Sequence, residues 1–272
     1  MLQKTFGIYS EELAGCSLFI ETGTDYIACW CKDAETKAVK AFELFSFTEE
    51  EGSGFEKTFE EVKLNSRLFF TVFEKAYCIW GDDKCVCMPE EFYSEQMAAS
   101  MLSVMLGENP GAEICTGTIN GIVTVSVAQT GAKKQYEKLY GELVDTHKYH
   151  QLIKGQTNGS ADSKMYIVFY NAHCIISAYK NGMLQFIQTY NYKTPEDVLY
   201  SILNACNAHE MAVSETKIIA SGLIDTSSPL YILLNTYLDH FSFAVADKDL
   251  YAAEDFHTHP LHYFASFCQY EV

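Results

Sequence analysis

Ten cysteines and eight histidines are the side chains of this 272-residue sequence best suited to metal chemistry, and their spacing decides whether they can act together. His257 and His259 flank one residue, His262 follows and Asp255 precedes, a ligand set of imidazoles and a carboxylate. Pro260 divides that set between a loop and a helix start, so a solvated loop and a helix cap are the expected roles, and no metal is expected. Cys29-x-Cys31 and Cys85-x-Cys87 would supply four thiolates, but structural zinc prefers ligand pairs about two to four residues apart on knuckles. Both pairs lie in strand-like runs, where alternation puts each pair on one sheet face, which predicts reduced core thiols. His209-Glu210 lacks a partner histidine because Val213 holds its position, and Gln129-Thr-Gly-Ala-Lys133 lacks phosphate-loop spacing. The sequence contains no Gly-x-Ser-x-Gly elbow and no coherent serine or cysteine nucleophile set.

Charge narrows the partners. Nineteen Lys and Arg stand against 36 Asp and Glu, a net charge of −17, and Arg67 is the only arginine. Such a surface repels nucleic acid and anionic lipid, so a basic or amphipathic protein is the expected partner. With 48% hydrophobic and 20% charged residues the chain is neither disordered nor a charged coiled coil. Residues 1–10 are mixed, Glu11 and Glu12 break the stretch after them, and no run reaches the roughly 18 apolar residues of a membrane span. A cytoplasmic location is the expectation, which leaves the glycosylation pattern Asn158-Gly-Ser160 without consequence.

The elements that must position any chemistry can be read from pattern and punctuation. Residues 17–21, 26–31 and 38–47 read as three strands, with Thr22-Gly-Thr-Asp25 as the first turn. A loop over 49–54, a helix from Phe55 to about Leu64 and a strand over 76–80 come next. Pro89-Glu-Glu91 predicts a helix carrying Phe92, Met97, Met101 and Met105, whose spacing assigns the methionines to the core. Asn120-Gly121 predicts a hairpin, and a helix follows over about 132–143. The polar, small-residue stretch 154–163 reads as a linker and divides the chain into domains 1–158 and 159–272. Beyond it come strands over 165–170, 174–179 and 183–190, then a helix capped by Thr194 with Pro195, Glu196 and Asp197 in its first turn. A strand over 217–220, a helix from Ser228-Pro229, a strand over 241–245 and a terminal helix from Pro260 to about Gln269 complete the second half.

Strand, strand, strand, helix, strand, helix, strand, helix is the order of a ribonuclease-H-like unit. The first half opens the same way, with residues 18–27 set in register with 166–175, so an internal duplication is expected. The predicted class is α/β: a duplicated ribonuclease-H-like, actin-like ATPase fold of two lobes, each a mixed five-stranded sheet flanked by helices. With Phe19-Ile-Glu-Thr-Gly-Thr24, the Lys180-Asn-Gly182 hairpin, Thr194-Pro-Glu-Asp197 and Ser221-Gly222, the whole chain resembles the Bacteroidetes domain-of-unknown-function 3822 family, grouped with the actin-like ATPases. Within that fold it resembles the actin-like proteins of type IV pilus assembly.

The resemblance implies a nucleotide site at the two opening turns, where an Asp-x-Gly-x-Thr/Ser segment approaches phosphate through backbone amides and the acid organises metal and water. Glu21, Gly23 and Thr24 keep most of that pattern in the first turn. In the second, Phe169 replaces the acid and Asn171 the glycine, while Gly222 stands alone where the adenosine turn usually has paired glycines. The implied site is therefore degenerate. The expected function is a non-catalytic, protein-binding adaptor or scaffold with no cofactor; a divergent magnesium-ATP-binding ATPase or kinase is the alternative, and self-association stays open.

Overall fold

The computed structural model describes residues 2–48, 54–107, 113–156 and 162–268. Most of the 49–54 loop, the centre of the linker with the boundary after residue 158, the Asn158-Gly-Ser160 pattern and a helix end at Gln269 lie outside the described residues. In chain order the elements are β1 (Leu2–Tyr9), β2 (Cys16–Thr22), β3 (Tyr26–Asp33), β4 (Val39–Phe47), α1 (Phe55–Asn65), β5 (Ala76–Trp80), β6 (Cys85–Pro89), α2 (Glu95–Leu106), β7 (Ile114–Ile119), β8 (Ile122–Val127), α3 (Thr130–Tyr140), β9 (Val144–His147) and α4 (Lys148–Gln156). The second half adds β10 (Lys164–Phe169), β11 (His173–Lys180), β12 (Met183–Asn191), α5 (Pro195–Ala208), β13 (Lys217–Gly222), α6 (Pro229–Tyr237), β14 (Phe241–Phe243) and α7 (His262–Cys268).

Local chemistry explains many boundaries. Asn120 and Gly121 at the β7–β8 turn, and Asn181 and Gly182 at the β11–β12 turn, all have positive φ, the backbone a two-residue hairpin requires. At the start of α5 the Thr194 and Lys193 N–H groups donate to the Asp197 carboxylate, the return contact of a capping box. One start differs from expectation: α2 begins at Glu95, because the Ser94 hydroxyl accepts from Met97 N–H at 3.1 Å, while Pro89 ends β6 and a short 3-10 turn intervenes.

Three sheets are present among the described residues: β1-β4-β3-β2-β5-β9, β12-β11-β10-β13-β14 and β6-β8-β7. Without β1 the first has the same order as the second, with two antiparallel pairings followed by two parallel ones. That is the duplicated actin-like architecture. The first sheet has six strands rather than five, because β1 pairs antiparallel with β4 from Leu2↔Phe47 to Tyr9↔Ala41, with a register shift between Lys4 and Phe6. No described helix is long and apolar enough to cross a membrane.

By packing, Met1–Lys154 groups with Asp247–Thr258, and Gly155–Ala246 with His259–Val272. Segment Asp247–Thr258, which the sequence division leaves in the second half, thus packs with the first, where Ala252 N–H donates to Val39 O. Each unit has its own core. In the first, Leu18, Ile20, Cys29, Cys31, Phe45 and Cys78 of the sheet pack with Phe59 of α1 and Tyr136 of α3; in the second, Met165, Ile167, Phe169 and Ile176 pack with Val198 and Ile202 of α5. Cys29 and Cys31 are therefore core thiols, as the alternation predicts, and all ten cysteines are free.

Edge strand β1 is fastened by a buried acid. The fully buried Glu43 carboxylate of β4 accepts hydrogen bonds from Lys4 Nζ (2.9 Å), Arg67 N–H (2.8 Å), Ser66 Oγ (2.5 Å) and the Tyr9 hydroxyl. Hydrogen bonds to a charged group contribute more than neutral ones, and their donors lose that partner together. Glu43→Ala is expected to lower the unfolding free energy by about 3 kcal/mol, read as a shifted midpoint in urea with little change in slope.

Candidate functional site

The first turn, Gly23-Thr24-Asp25, joins β2 to β3, and Gly23 N–H donates to Tyr26 O at 3.0 Å. At the same level β2 ends beside β5, where Gly81 N–H donates to Thr22 O at 2.8 Å. Parallel pairing with β5 buries the end of β2 and places Glu21 at zero exposure. An isolated carboxylate there would be costly, and two groups offset it. Lys148, the fully buried first residue of α4, donates from Nζ to Glu21 Oε2 at 2.6 Å, and the Tyr26 hydroxyl donates to Oε1 at 2.7 Å.

Tyr26 also accounts for the glycines. A Cβ on Gly23 would stand 2.0 Å from Tyr26 Cε1, and one on Gly81 would stand 2.3 Å from the Tyr26 hydroxyl. The space that a missing side chain leaves at these two positions is thus filled by the phenol ring. Thr24 is exposed at the tip of the turn.

A second buried layer supports this corner. Gln129 Nε2 donates to Asp82 Oδ2 (2.9 Å) and to Thr22 O (3.3 Å), and Lys84 N–H donates to Asp82 Oδ1 (3.0 Å). His147 Nδ1 accepts from Tyr149 N–H at 3.1 Å, which leaves Nε2 to donate to Asp82 O at 3.1 Å. Burial alone would raise the Asp82 carboxyl, but hydrogen bonding by His147, Lys84 N–H and Gln129 holds it below its ordinary value.

In the second unit the corresponding turn has other contents, and its register differs from the expected one. Tyr170 N–H donates to His173 O, as Gly23 N–H does to Tyr26 O, and the last strand pairs are Phe169↔Cys174 and Thr22↔Ile27. Gly23 therefore corresponds to Tyr170 and Glu21 to Val168, one residue away from the sequence alignment. The cores agree: Leu18 and Ile20 face the first, and Met165 and Ile167 face the second. A slip of one residue would turn each set out of its core. Val168 is buried, Tyr170 stacks on His173 at 4.5 Å, and Asn171 is exposed. Gly222 ends β13 with φ of +82°, and a Cβ there would lie 2.2 Å from Phe169 O. Its freedom is used in packing against the backbone of β10.

The histidines take separate roles. His257 and His259 are exposed, whereas buried His262 directs Nε2 to Ile224 O at 2.8 Å and stacks on Phe243 at 3.9 Å. Among the described residues no group of three or more His, Cys, Asp or Glu could hold a metal ion. Lys133, of the glycine-containing segment that opens α3, pairs with Asp145 at 3.1 Å and with Glu113. Sequence reasoning missed Tyr26, Lys148, Asp82 and His147. The only hint was local, since a tyrosine three residues after Gly23 must return beside the turn; nothing announced Lys148, 127 residues from its partner.

A model of the family described as protein of unknown function (DUF3822) matches residues 6–241. Among solved structures, the chain is similar to a Bacteroides thetaiotaomicron VPI-5482 protein with actin-like ATPase fold and unknown function: 14% identity, TM-score 0.72, covering 85% of this chain and 91% of that one. It is also similar to a chain of the PilM-PilN type IV pilus biogenesis complex, with 10% identity, TM-score 0.56, and 84% and 88% coverage. No curated protein matches. At these identities the likeness is one of fold.

Removing one member of a buried ion pair leaves the other charge unpaired, which costs about 3 to 5 kcal/mol, whereas replacing both by apolar groups is often close to neutral. Lys148→Met is expected to destabilise by that amount, and Lys148→Met combined with Glu21→Leu by clearly less, measured by denaturant unfolding as a double-mutant cycle.

Proposed function

Since the chain belongs to the DUF3822 family of proteins of unknown function and carries the actin-like ATPase fold, we propose that it is a non-catalytic adaptor or scaffold that binds another protein and has a degenerate nucleotide site. The observation that carries this reading is the internal saturation of Glu21. Phosphoryl transfer depends on positioning and on charge stabilisation, with an acid to organise metal and water and open backbone to approach phosphate. Here both Glu21 oxygens are engaged by side chains of the same unit, and the Tyr26 ring lies against both glycines. The second turn presents Val168 and Tyr170 at the corresponding positions. On this reading magnesium and ATP do not fit the turn.

Other features support the same reading. The PilM-PilN complex has the fold in a protein assembly. A net charge of −17 disfavours nucleic acid and suits a basic partner. Ten free cysteines, eight buried and two half-buried, suit a reducing compartment, which we take to be the cytoplasm. The division into lobes 1–158 and 159–272 is part of this proposal, with segment Asp247–Thr258 returning to pack with the first.

Thermal unfolding of metal-free protein with and without millimolar magnesium ATP tests it. A ligand at about 100 times its dissociation constant stabilises by about 2.7 kcal/mol, enough to raise the midpoint by about 2 °C or more in a chain of this size. No shift is expected. A reproducible rise that Glu21→Gln abolishes would replace the adaptor with a divergent magnesium-ATP-binding ATPase or kinase.

A further inference from the structure

Helix α2 is apolar on two sides and buries only one of them. Ala98 and Leu102 pack on Val86, Met88, Val123 and Val125 of the three-stranded sheet. Met97, Met101, Val104 and Met105, spaced i, i+4, i+7 and i+8, form a second stripe that faces outward, with Val104 87% and Met105 54% exposed. These are the methionines whose spacing predicted core positions. A helix that packs on one side ordinarily turns polar or charged residues outward, and in α2 the only charged residue is Glu95, at its start. Exposed methionines adapt to varied apolar surfaces, so the stripe has the chemistry of a docking face.

The surroundings select the occupant. Between Pro89 and Gly107 there is no lysine or arginine, and Glu90, Glu91 and Glu95 are all exposed at the N-terminal end of the stripe, next to Phe92, which is exposed as well. An apolar centre with an acidic end is complementary to an amphipathic helix that carries lysine or arginine beside its apolar face. We propose that the outer face of α2 is the docking surface of the adaptor, and that its partner is a basic amphipathic helix of another protein, laid along Met97, Met101, Val104 and Met105 with its cationic end over Glu90, Glu91 and Glu95. This inference rests on the adaptor reading for its biological sense, but it concerns a different surface from the Glu21 corner. Nucleotide binding in the thermal test would overturn the reading and leave the surface in place, whereas failure of the peptide-binding test would overturn the surface and leave the reading in place.

The probe is a synthetic helical peptide about four turns long, with leucines on one face and lysines beside them, labelled for fluorescence anisotropy against the full chain. A peptide of identical composition with its amphipathic order scrambled controls for attraction to the net charge. The ordered peptide is expected to bind and the scrambled one to bind about tenfold more weakly or not at all. Val104→Glu is expected to weaken binding about tenfold or more while the thermal midpoint stays unchanged, because its side chain is 87% exposed. Glu90→Gln with Glu91→Gln is expected to weaken it about threefold and to flatten its salt dependence. Equal binding of the scrambled peptide, no binding of the ordered one, or indifference to Val104→Glu would overturn the proposal. So would concentration-dependent self-association that Val104→Glu abolishes, since a second copy of this chain would then be the occupant.

Discussion

One buried charge pair constrains the whole first unit. Glu21 lies at the end of β2, a central strand paired on both edges, and Lys148 opens α4 after the last strand of the sheet has been laid down. Neither group tolerates its depth alone, so the corner is complete only when β2, β3, β5, β9 and the start of α4 are all in place. The pair thereby links the first and last strands of the ribonuclease-H-like order. Its geometry fixes where Tyr26 must lie, and Tyr26 in turn requires glycine at positions 23 and 81. Features that look like remnants of a phosphate-binding turn are held in place by the packing of one phenol.

The two halves show how a duplicated framework keeps its topology while its contents diverge. Strand order and direction repeat, and so does the hairpin bond that closes each opening turn. At that level the first unit places an ion pair, two glycines and a tyrosine, and the second an apolar strand end, a stacked Tyr170–His173 pair and one glycine against backbone. Hydrogen-bonded frameworks depend weakly on side-chain identity, so the strand order and the turn-closing bond persist through such change.

The legible part of the sequence was local. Asn120-Gly121, Asn181-Gly182 and the Thr194 capping box each encode their backbone within a few residues, and they place hairpins and a helix correctly. The element order sufficed for the fold class because few topologies satisfy it. The strand register was not legible to better than one residue, since it is set by pairing with β5 and β13, far along the chain. Strand β1 escaped because its ladder is irregular between Lys4 and Phe6 and its exposed edge position weakens the apolar alternation. Spacing alone also failed for α2, because a helical period identifies stripes without saying which of them meets the core. The Glu21 partner is the extreme case, a contact that only the finished fold creates.

The cysteines carry a further consequence, one of reversibility. Burial pushes the Cys174 thiol up to about 12, and burial together with the nearby Asp145 carboxylate does the same for Cys115, so these two present little thiolate at neutral pH. Unfolding exposes the eight buried thiols to water, where a free cysteine has a pKa of about 8.5 and becomes a ready target for oxidants and for its neighbours. Under oxidising conditions every excursion out of the native state thus risks cross-linked forms that cannot rebuild the strand cores. The lifetime of the protein there is then governed by how often it opens, a rate, more than by how far its equilibrium favours the folded state.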